Sequence, residues 1–219
     1  MGPGGGGMIW GNLKDSRVKA TPKKKATCPI CKGELVSKCG DVMQWHWAHK
    51  SKEDCDSWYE PESNWHRNWK DLFPEECQEV TVGKHRADIK FPSGFVIELQ
   101  NSSISSGDIC NREEFYGENM IWILNGKTLA KGLNLRKKEL IQTDKQIGLN
   151  GEIVKSIGRV KQIVTFRWKS PPKSWWSAKR NIYIDLGDNI FKIKKIHHNI
   201  PCGGWGELMD DMEFISRLK

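Results

Sequence analysis

The fold of this chain is decided by one stretch of alternating residues, His85-Arg86-Ala87-Asp88-Ile89-Lys90-Phe91-Pro92-Ser93-Gly94-Phe95-Val96-Ile97-Glu98-Leu99-Gln100. Apolar and polar side chains alternate on both sides of Pro92-Ser93-Gly94, which predicts a β-hairpin with a three-residue loop. In that register Asp88 lies opposite Glu98. A two-residue loop at Ser93-Gly94 would move Asp88 to the face of Leu99, against the hydrophobic pattern.

The two opposed carboxylates, Asp88 and Glu98, predict a divalent-cation site. Directly opposed residues have Cβ atoms roughly 5 Å apart, and like charges at that distance destabilise a sheet. A hard ion such as Mg²⁺ or Mn²⁺ prefers oxygen ligands and would remove the repulsion. The alternative is a pair of solvated carboxylates on an outward face of the hairpin.

The charge of the chain indicates an anionic partner. The 219 residues carry a formal net charge of +8. Residues 127–180 contain fourteen Lys or Arg and three acids, whereas residues 51–80 contain nine acids and three bases. An acidic segment followed by a basic one fits a metal site beside a track for a phosphate backbone. An ordinary solvated surface is the alternative.

Cysteine usage and hydropathy predict a cytoplasmic protein with no membrane partner. The chain has seven cysteines, an odd number, and no apolar run of the roughly 18 residues that a membrane helix needs. We see no basic region followed by a long apolar run at the start, so we expect no signal peptide. The cysteines are then free thiols or metal ligands.

A zinc-binding module is predicted where two ligand pairs follow each other, Cys28-Pro29-Ile30-Cys31 and His46-Trp47-Ala48-His49. Zinc prefers four nitrogen or sulfur ligands in a tetrahedron, and a Cys-x-x-Cys turn supplies two thiolates. We expect Cys28, Cys31, His46 and His49 as ligands. Either Cys39 or Cys55 can replace one histidine. Reduced cysteines in a small core with surface histidines are the alternative.

The chain divides into four predicted segments. They are a flexible basic lead (1–26, with a glycine-rich linker over 1–7), the zinc-binding module (27–57), an α/β core (58–126) and a basic, β-rich extension (127–219). The core pattern predicts a helix over 62–73, strands over 77–82 and both arms of the hairpin, a helix from Ser105 or Ser106 to Tyr116, and a buried strand over 120–124. The extension pattern predicts strands over 160–168, 181–186 and 189–196.

The first core helix carries one polar face. Glu62, His66 and Lys70 repeat at every fourth residue and therefore share that face. A surface helix with favourable pair spacing is the plain explanation. The order of this face, the hairpin acids and the cysteine module is more specific than any one motif.

This ordered set resembles the CoiA-like competence-protein family, a branch of the PD-(D/E)XK nucleases. The resemblance covers roughly residues 27–125, and its motifs are Cys28-Pro29-x-Cys31, His46-Trp47-Ala48-His49, Glu62-Ser63 with His66 and Lys70, Arg86-Ala87-Asp88, Glu98-Leu99-Gln100-Asn101-Ser102, Arg112 with Tyr116, and Ile121-Trp122-Ile123-Leu124. It implies an α/β (α+β) fold class with a restriction-endonuclease-like core of helix, three strands, helix and strand.

The resemblance also implies roles for individual residues. Asp88 and Glu98 match the two metal-binding acids of the nuclease motif, and Glu62 matches an additional acid on the first helix. Gln100 stands where many such nucleases place a lysine, so its amide would orient water or phosphate without supplying charge. Lys70, Arg86 or Arg112 would supply the missing positive charge, and His66 would contact phosphate.

The expected function is a Mg²⁺- or Mn²⁺-dependent nuclease acting on single- or double-stranded DNA in DNA processing, recombination or defence. The residues expected to contact nucleic acid are Arg86, Arg112, Arg136, Lys137, Lys138, Arg159, Lys161 and Arg167, with Trp168, Trp175 and Trp176 as stacking platforms. The alternative is a non-catalytic, zinc-containing DNA-binding component. A homodimer, or a recombination or defence protein docking on a tail at 200–219, would complete either assembly.

Overall fold

The computed structural model of the chain describes residues 7–14, 16–41, 44–51, 55–142, 146–147, 153–154, 160–197 and 202–218, with the side chains of 137–142, 146–147, 153–154 and 160–161 left aside. The fold is mixed α+β and mostly sheet. The chain forms two compact units, Met1–Leu99 and Gln100–Lys219. None of the helices in this described part is long and apolar enough to cross a membrane.

The first unit begins with a five-stranded antiparallel sheet. Its strands are β1 (Trp10–Leu13), β2 (Ser16–Lys19), β3 (Lys25–Thr27), β4 (Glu34–Lys38) and β5 (His46–His49), in the order β2-β1-β3-β4-β5. Its small core contains Met8, Ala20, Ala26, Cys28, Leu35 and Trp47. The Cys/His motifs therefore lie on a folded sheet with a core of its own.

The flexible lead expected over residues 1–26 needs correction. Its described part supplies β1 and β2 and buries Trp10. The guanidinium carbon of Arg17 lies 4.3 Å from the centre of the Trp10 ring. The basic residues Arg17 and Lys19 hid β2, because long cationic side chains can cover an apolar ring while their charged ends stay in water.

The core helix of the first unit is α1 (Asn64–Lys70), shorter than the predicted 62–73. Ser63 is its N-cap, and the Ser63 hydroxyl accepts a hydrogen bond from the backbone N–H of His66. The His66 ring nitrogen in turn accepts from the Ser63 backbone N–H at 3.2 Å, which completes a capping box. The cap therefore starts the helix after Glu62, and Glu62 lies just outside it.

Three antiparallel strands follow a 3-10 helix at Glu75–Cys77. They are β6 (Gln78–Val82), β7 (His85–Lys90) and β8 (Val96–Gln100). The predicted three-residue loop is confirmed, because Gly94 donates to the Phe91 carbonyl at 2.9 Å and takes a φ of +88° that suits glycine. Ile89 pairs with Ile97, as predicted, and the same register counted one residue further sets Asp88 opposite Glu98.

The second unit contains a six-stranded sheet in the order β10-β13-β16-β15-β14-β9. Its elements are α2 (Ser106–Tyr116), β9 (Met120–Asn125), α3 (Gly126–Leu129), β10 (Leu133–Gln142), a separate pair β11 (Gln146–Ile147) and β12 (Ile153–Val154), β13 (Val160–Trp168), a 3-10 helix (Lys173–Ser177), β14 (Asn181–Asp185), β15 (Asn189–His197), β16 (Cys202–Asp210) and α4 (Asp211–Leu218). The start of α2 is as predicted, since the Ser105 hydroxyl caps it. All six residues of β9 are buried, as expected of a central strand.

The segment expected as a docking tail, 200–219, is folded over its described residues 202–218. Residues 202–210 form β16, which pairs with β13 and β15, and α4 follows. A Cβ atom at Gly204 would overlap the carbonyl oxygen of Lys195, so this position requires glycine. Glycine at this position therefore lets β15 and β16 approach each other closely.

Candidate functional site

Three carboxylates converge on the ammonium of Lys70. The Nζ atom lies 3.0 Å from Glu62 Oε2, 3.1 Å from Glu79 Oε1 and 3.2 Å from Asp88 Oδ1. The Lys70 side chain is only 2% exposed. An ammonium has three N–H donors, so each donor has one carboxylate to bind. We call Lys70 and these three acids the Lys70 cluster.

Burial and charge act against each other in the Lys70 cluster. Burial lowers the pKa of Lys70, but Glu79, Asp88 and Glu62 outweigh it and raise that pKa above its usual value. For Glu79, burial is outweighed by Arg86 and Lys70, which bring its pKa down to about 2. Burial raises the pKa of Glu62 in spite of Lys70. The cluster therefore holds a permanent ammonium at neutral pH.

Glu79 is the member of the cluster that we did not predict. Its side chain is fully buried, its φ is +47°, and it accepts a hydrogen bond from the backbone N–H of Ile9 at 3.0 Å. The register of β6 and β7 pairs Val82 with His85 across a two-residue turn. Counting back from that turn places Glu79 opposite Asp88, so the same counting that paired the hairpin acids reveals a third acid in the row.

The remaining motif residues lie on β7 and β8. Asp88 is 22% exposed, and its Oδ2 accepts a hydrogen bond from the Leu99 backbone N–H at 2.9 Å. Burial would raise its pKa, but Lys70, His66 and this hydrogen bond lower it. Glu98 and Gln100 are each 2% exposed. The Gln100 Nε2 donates to the Ser102 carbonyl, and its Oε1 has no hydrogen-bond partner among the described residues.

The Cys/His ligands form a second cluster with a different membership from the one expected. The ligand atoms of Cys28, Cys31, His49 and Cys55 all lie within 4.8 Å of one another. The Cys28 and Cys55 sulfur atoms are 3.4 Å apart, and the Cys31 sulfur lies 3.3 Å from His49 Nε2. Burial, followed by the neighbouring Cys28, raises the pKa of the Cys55 thiol to about 12. Cys55 was one of the two alternates in the sequence pattern.

His46 lies outside this cluster because it and His49 lie on opposite faces of strand β5. His46 and His49 are three residues apart on β5, and side chains alternate between faces along a strand, so the two rings point to opposite sides. The His46 ring nitrogen lies 2.9 Å from the Gln44 carbonyl oxygen. The other alternate, Cys39, packs against the sheet core and is not a member of the cluster.

Two family models match the chain. Residues 11–57 match the N-terminal domain of competence protein CoiA, and residues 77–147 match the nuclease-like domain of competence protein CoiA. Together these matches cover more than half of the 219 residues. The chain belongs to the CoiA-like family.

The resemblance that the motifs suggested is thereby confirmed, and the nuclease-like domain fits the restriction-endonuclease-like superfamily. No curated protein and no solved structure matches this CoiA-like chain. The Cys/His cluster lies within the N-terminal match, and Glu79, Asp88 and Glu98 lie within the nuclease-like match. Residues 58–76, which carry Glu62 and Lys70, lie between the two matches.

His66 of the CoiA-like chain is buried and serves the helix cap. Its Nδ1 lies 2.9 Å from the Ser63 hydroxyl, and its Nε2 lies 3.5 Å from Glu60 Oε2. Burial lowers its pKa, but the Glu60 carboxylate and Asp88 outweigh this and raise it. Both described partners of the His66 ring lie within the protein, and the contact with phosphate stays a prediction.

The residues expected to contact DNA fall into three groups, which are buried, exposed or outside the described part of the chain. Arg86 is largely buried, 3.9 Å from Glu79, and Arg112 is buried near the Trp122 ring, so neither lies on an open surface. Arg136 and Arg167 are exposed. Arg159 lies outside the described residues, as do the side chains of Lys137, Lys138 and Lys161. Of the expected stacking residues, Trp168 and Trp175 are buried and Trp176 is 38% exposed.

A short link joins the Cys/His cluster to the strand that carries Asp88. Asp56 follows the cluster residue Cys55 directly in the chain. The Asp56 carboxylate lies 2.8 Å from the His85 ring nitrogen and accepts from the Arg86 backbone N–H at 3.0 Å. The Trp58 ring stacks on His85 with 3.3 Å between ring centres. The start of β7 is therefore held by the segment that supplies Cys55.

Proposed function

We propose that this CoiA-like chain is a nuclease that hydrolyses phosphodiester bonds in DNA with Mg²⁺ or Mn²⁺, and that its centre contains Asp88 and Glu98. The observation that carries the proposal is the register of β6, β7 and β8, because counting on from its recorded pairs sets Glu79, Asp88 and Glu98 in one row. Like charges directly opposite each other destabilise a sheet. A row of three acids across paired strands is therefore the arrangement expected where a cation binds.

The carboxylates of the centre are suitable ligands for a hard divalent cation. The oxygens of Glu62, Glu79 and Asp88 already surround one positive charge, the Lys70 ammonium, at 3.0–3.2 Å. Oxygen ligands suit Mg²⁺ and Mn²⁺. Asp88 has the most exposed carboxylate of the Lys70 cluster and gives solvent access to the centre. Asp88 and Glu98 would hold the ion, with Glu62 and the Leu99 carbonyl as further ligands.

The bound ion and the residues of the chain would contribute different parts of the hydrolysis. A bound Mg²⁺ or Mn²⁺ supplies a water of lowered pKa and neutralises charge that develops on the phosphoryl oxygens. Gln100 has its Nε2 fixed on the Ser102 carbonyl, so its Oε1 would accept a hydrogen bond from the attacking water and orient it. The Leu99 N–H holds Asp88 in its rotamer. Arg136 and Arg167 would contact phosphates without reading sequence.

The Cys/His cluster is proposed to hold a structural zinc ion. Three sulfur atoms and one imidazole nitrogen are a common tetrahedral zinc set, and the cluster lacks the open position that a catalytic zinc needs. A thiol with a pKa near 12 stays protonated at neutral pH, so ion binding must displace the Cys55 proton. Zinc would therefore fix Cys55 and the adjoining Asp56 to the sheet.

Cleavage of linear, nicked and single-stranded DNA with Mn²⁺ or Mg²⁺ tests the proposed function. We expect Asp88→Asn to cut at least about a hundredfold more slowly, a loss of about 2.7 kcal/mol of transition-state stabilisation, while DNA binding persists. The matched control is Asp188→Asn, which makes the same change at an exposed turn and should cut at the parental rate. Equal rates for the two variants would contradict the assignment of Asp88.

A second function, a DNA-binding scaffold without catalysis, is favoured by two observations. Gln100 stands where many nucleases of this superfamily have a lysine. The Lys70 ammonium already binds three carboxylates of the centre. Binding of the same DNA substrates without cleavage in Mg²⁺, Mn²⁺ or Ca²⁺ would support the scaffold. Metal-dependent cleavage that disappears in Asp88→Asn would exclude it.

A further inference from the structure

An exposed tryptophan lies on a central strand of the six-stranded sheet of the second unit. Trp205 belongs to β16, which pairs with β13 on one side and with β15 on the other. Trp205 is nevertheless 37% exposed. A strand that is covered on both faces buries such a ring, as β9 does with Trp122. One face of the sheet is therefore open to solvent at Trp205.

The strand register assigns the neighbours of Trp205 on this open face. Lys195 lies directly opposite Trp205, and both Arg167 and His197 lie opposite Gly203. Residues opposite each other, and residues two apart on one strand, share a face. Arg167, Lys195 and His197 are exposed, and Gly203 places no side chain between Arg167 and His197. We call Trp205, Arg167, Lys195 and His197 the Trp205 face.

The other side of these strands is covered, and so is one end of the open side. Val164 and Phe166 alternate with the exposed residues of β13 and are buried. The register places Tyr183 on the same side as Trp205, and the Tyr183 ring lies 4.7 Å from the ring of Phe214 in α4. The helix α4 therefore covers the part of this side near Tyr183 and leaves Trp205 exposed.

The charges of the Trp205 face are complementary to a phosphate backbone. Arg167 and Lys195 lie on the two strands that flank Trp205, and strands two apart in a sheet are separated by about 10 Å. Glu207 is an acid on the same side, and its carboxylate lies 3.2 Å from Lys194 Nζ. A paired carboxylate repels an approaching phosphate less than an unpaired one. An anion can therefore approach the indole from both flanking strands.

We propose that the Trp205 face binds single-stranded nucleic acid, with a base stacked on the Trp205 ring and phosphates bound by Arg167 and Lys195. A base can stack on a protein ring only when its own face is free, as in a single strand and not inside a duplex. Stacking of this kind accepts any base, so we expect little sequence preference. The proposal goes beyond the metal centre, because it concerns residues of the second unit and does not require cleavage.

The test is binding of a fluorescein-labelled oligothymidylate of about 12 nucleotides to the full chain, measured by fluorescence anisotropy without Mg²⁺ or Mn²⁺. We expect Trp205→Ala to bind about tenfold more weakly and Trp205→Phe to keep most of the affinity, because phenylalanine still stacks. The matched control Trp45→Ala removes a tryptophan that is 49% exposed in the first unit, and it should bind as the parent does. A duplex of the same length should bind equally to the parent and to Trp205→Ala.

The salt dependence of binding tests the phosphate contacts separately. Arg167→Gln and Lys195→Gln should each reduce the slope of log affinity against log salt concentration by about 0.7, the contribution of one phosphate contact to a single strand. The matched control Lys84→Gln removes an exposed lysine from a turn of the first unit and should keep the parental slope. Oligouridylate of the same length, measured in parallel, distinguishes RNA from DNA, and Trp205-dependent binding of either strand supports the proposal.

Photo-cross-linking of the parent chain tests the proposal even if Trp205→Ala fails to fold. A single strand that carries iodouracil should cross-link to the peptide that contains Trp205. A folded Trp205→Ala variant that binds the oligothymidylate as tightly as the parent overturns the proposal. Cross-links that form only at other peptides also overturn it.

Failure of the proposed nuclease function is distinguishable from failure of this inference. Strand binding that depends on Trp205, in a chain that cuts no DNA with any metal, supports the Trp205 face and contradicts the nuclease function. Metal-dependent cleavage together with full strand affinity in Trp205→Ala supports the nuclease function and contradicts the Trp205 face.

Discussion

The Cys/His cluster and the Lys70 cluster are two candidate metal centres in the same compact unit. They differ in the charge that their donor groups carry near neutral pH. The ligand atoms of Cys28, Cys31, His49 and Cys55 lie within 4.8 Å of one another. Glu62, Glu79 and Asp88 lie together around the Lys70 ammonium. One cluster is a set of soft donors, and the other is a set of hard donors with a positive charge at its middle.

The difference follows from the acid strength of the donors. Thiols and imidazole are neutral near pH 7 when no metal binds, so they can approach one another without a counter-ion. Carboxylates are ionised at that pH and repel, so their assembly needs a cation from the chain or from solution. Ion binding at the Cys/His cluster therefore releases protons, whereas at the Lys70 cluster it competes with an internal charge.

The largest expected effect is a loss of zinc binding at the Cys/His cluster. Cys55→Ser should weaken zinc binding by more than about a hundredfold, because even outer-shell partners of a metal contribute 10–100-fold. The matched control Cys39→Ser changes a cysteine of similar exposure that packs on the same core, and it should keep its zinc. His46→Ala should also keep zinc. Zinc content after dialysis is the measurement, and equal loss in Cys39→Ser would contradict the observed membership.

The next effect is on the free energy of unfolding at acid pH, and it concerns the carboxylates of the Lys70 cluster. The pKa of Glu79 is depressed to about 2, so Glu79 stabilises the fold above its ordinary pKa near 4.5, and this contribution is lost as the pH falls toward 2. Glu79→Gln should lose about 1–3 kcal/mol at neutral pH and show a flatter decline below pH 4.5.

Urea unfolding at several pH values measures this effect. The matched control is Glu114→Gln, an exposed residue of α2, which should follow the parent curve. A Glu79→Gln curve that runs parallel to the parent through the acid range would show that Glu79 carries no depressed pKa.

An effect of comparable size tests the link between the two clusters. Asp56→Ala removes the acceptor of the Arg86 backbone N–H and the partner of His85, which should cost about 1–3 kcal/mol. We expect hydrogen exchange to increase at the start of β7 while zinc stays bound at Cys55. Unchanged exchange at Arg86 would mean that the two clusters are mechanically independent.

The smallest effect concerns the hairpin loop. Gly94→Ala should lose about 1 kcal/mol, because a φ of +88° strains a residue that has a Cβ. Gly40→Ala is the matched control, since a Cβ meets nothing within 4 Å at either glycine and Gly40 has no positive φ. Thermal unfolding of both variants measures the difference, and equal midpoints would argue against the three-residue loop.

Local features of this chain were predictable from its residues. The register that opposes Asp88 and Glu98, the Ser105 cap of α2 and the buried strand β9 all came out as expected. The strands β1 and β2 were missed, because β1 is a short strand close to the glycine-rich segment 1–7 and the cationic Arg17 and Lys19 concealed the pattern of β2. Glu79 was missed although its register was countable, because an isolated strand of mixed residues gives no sign that a carboxylate will be buried.

The sequence by itself determined the donor types, the hairpin register and the family, since these depend on residues close together in the chain. Only the tertiary structure decided that Cys55 and not His46 joins the Cys/His cluster, and that Lys70 is buried among Glu62, Glu79 and Asp88. Both outcomes depend on where distant segments meet and on which charges lose their water. Alternation along one strand or helix carries no information about that long-range packing.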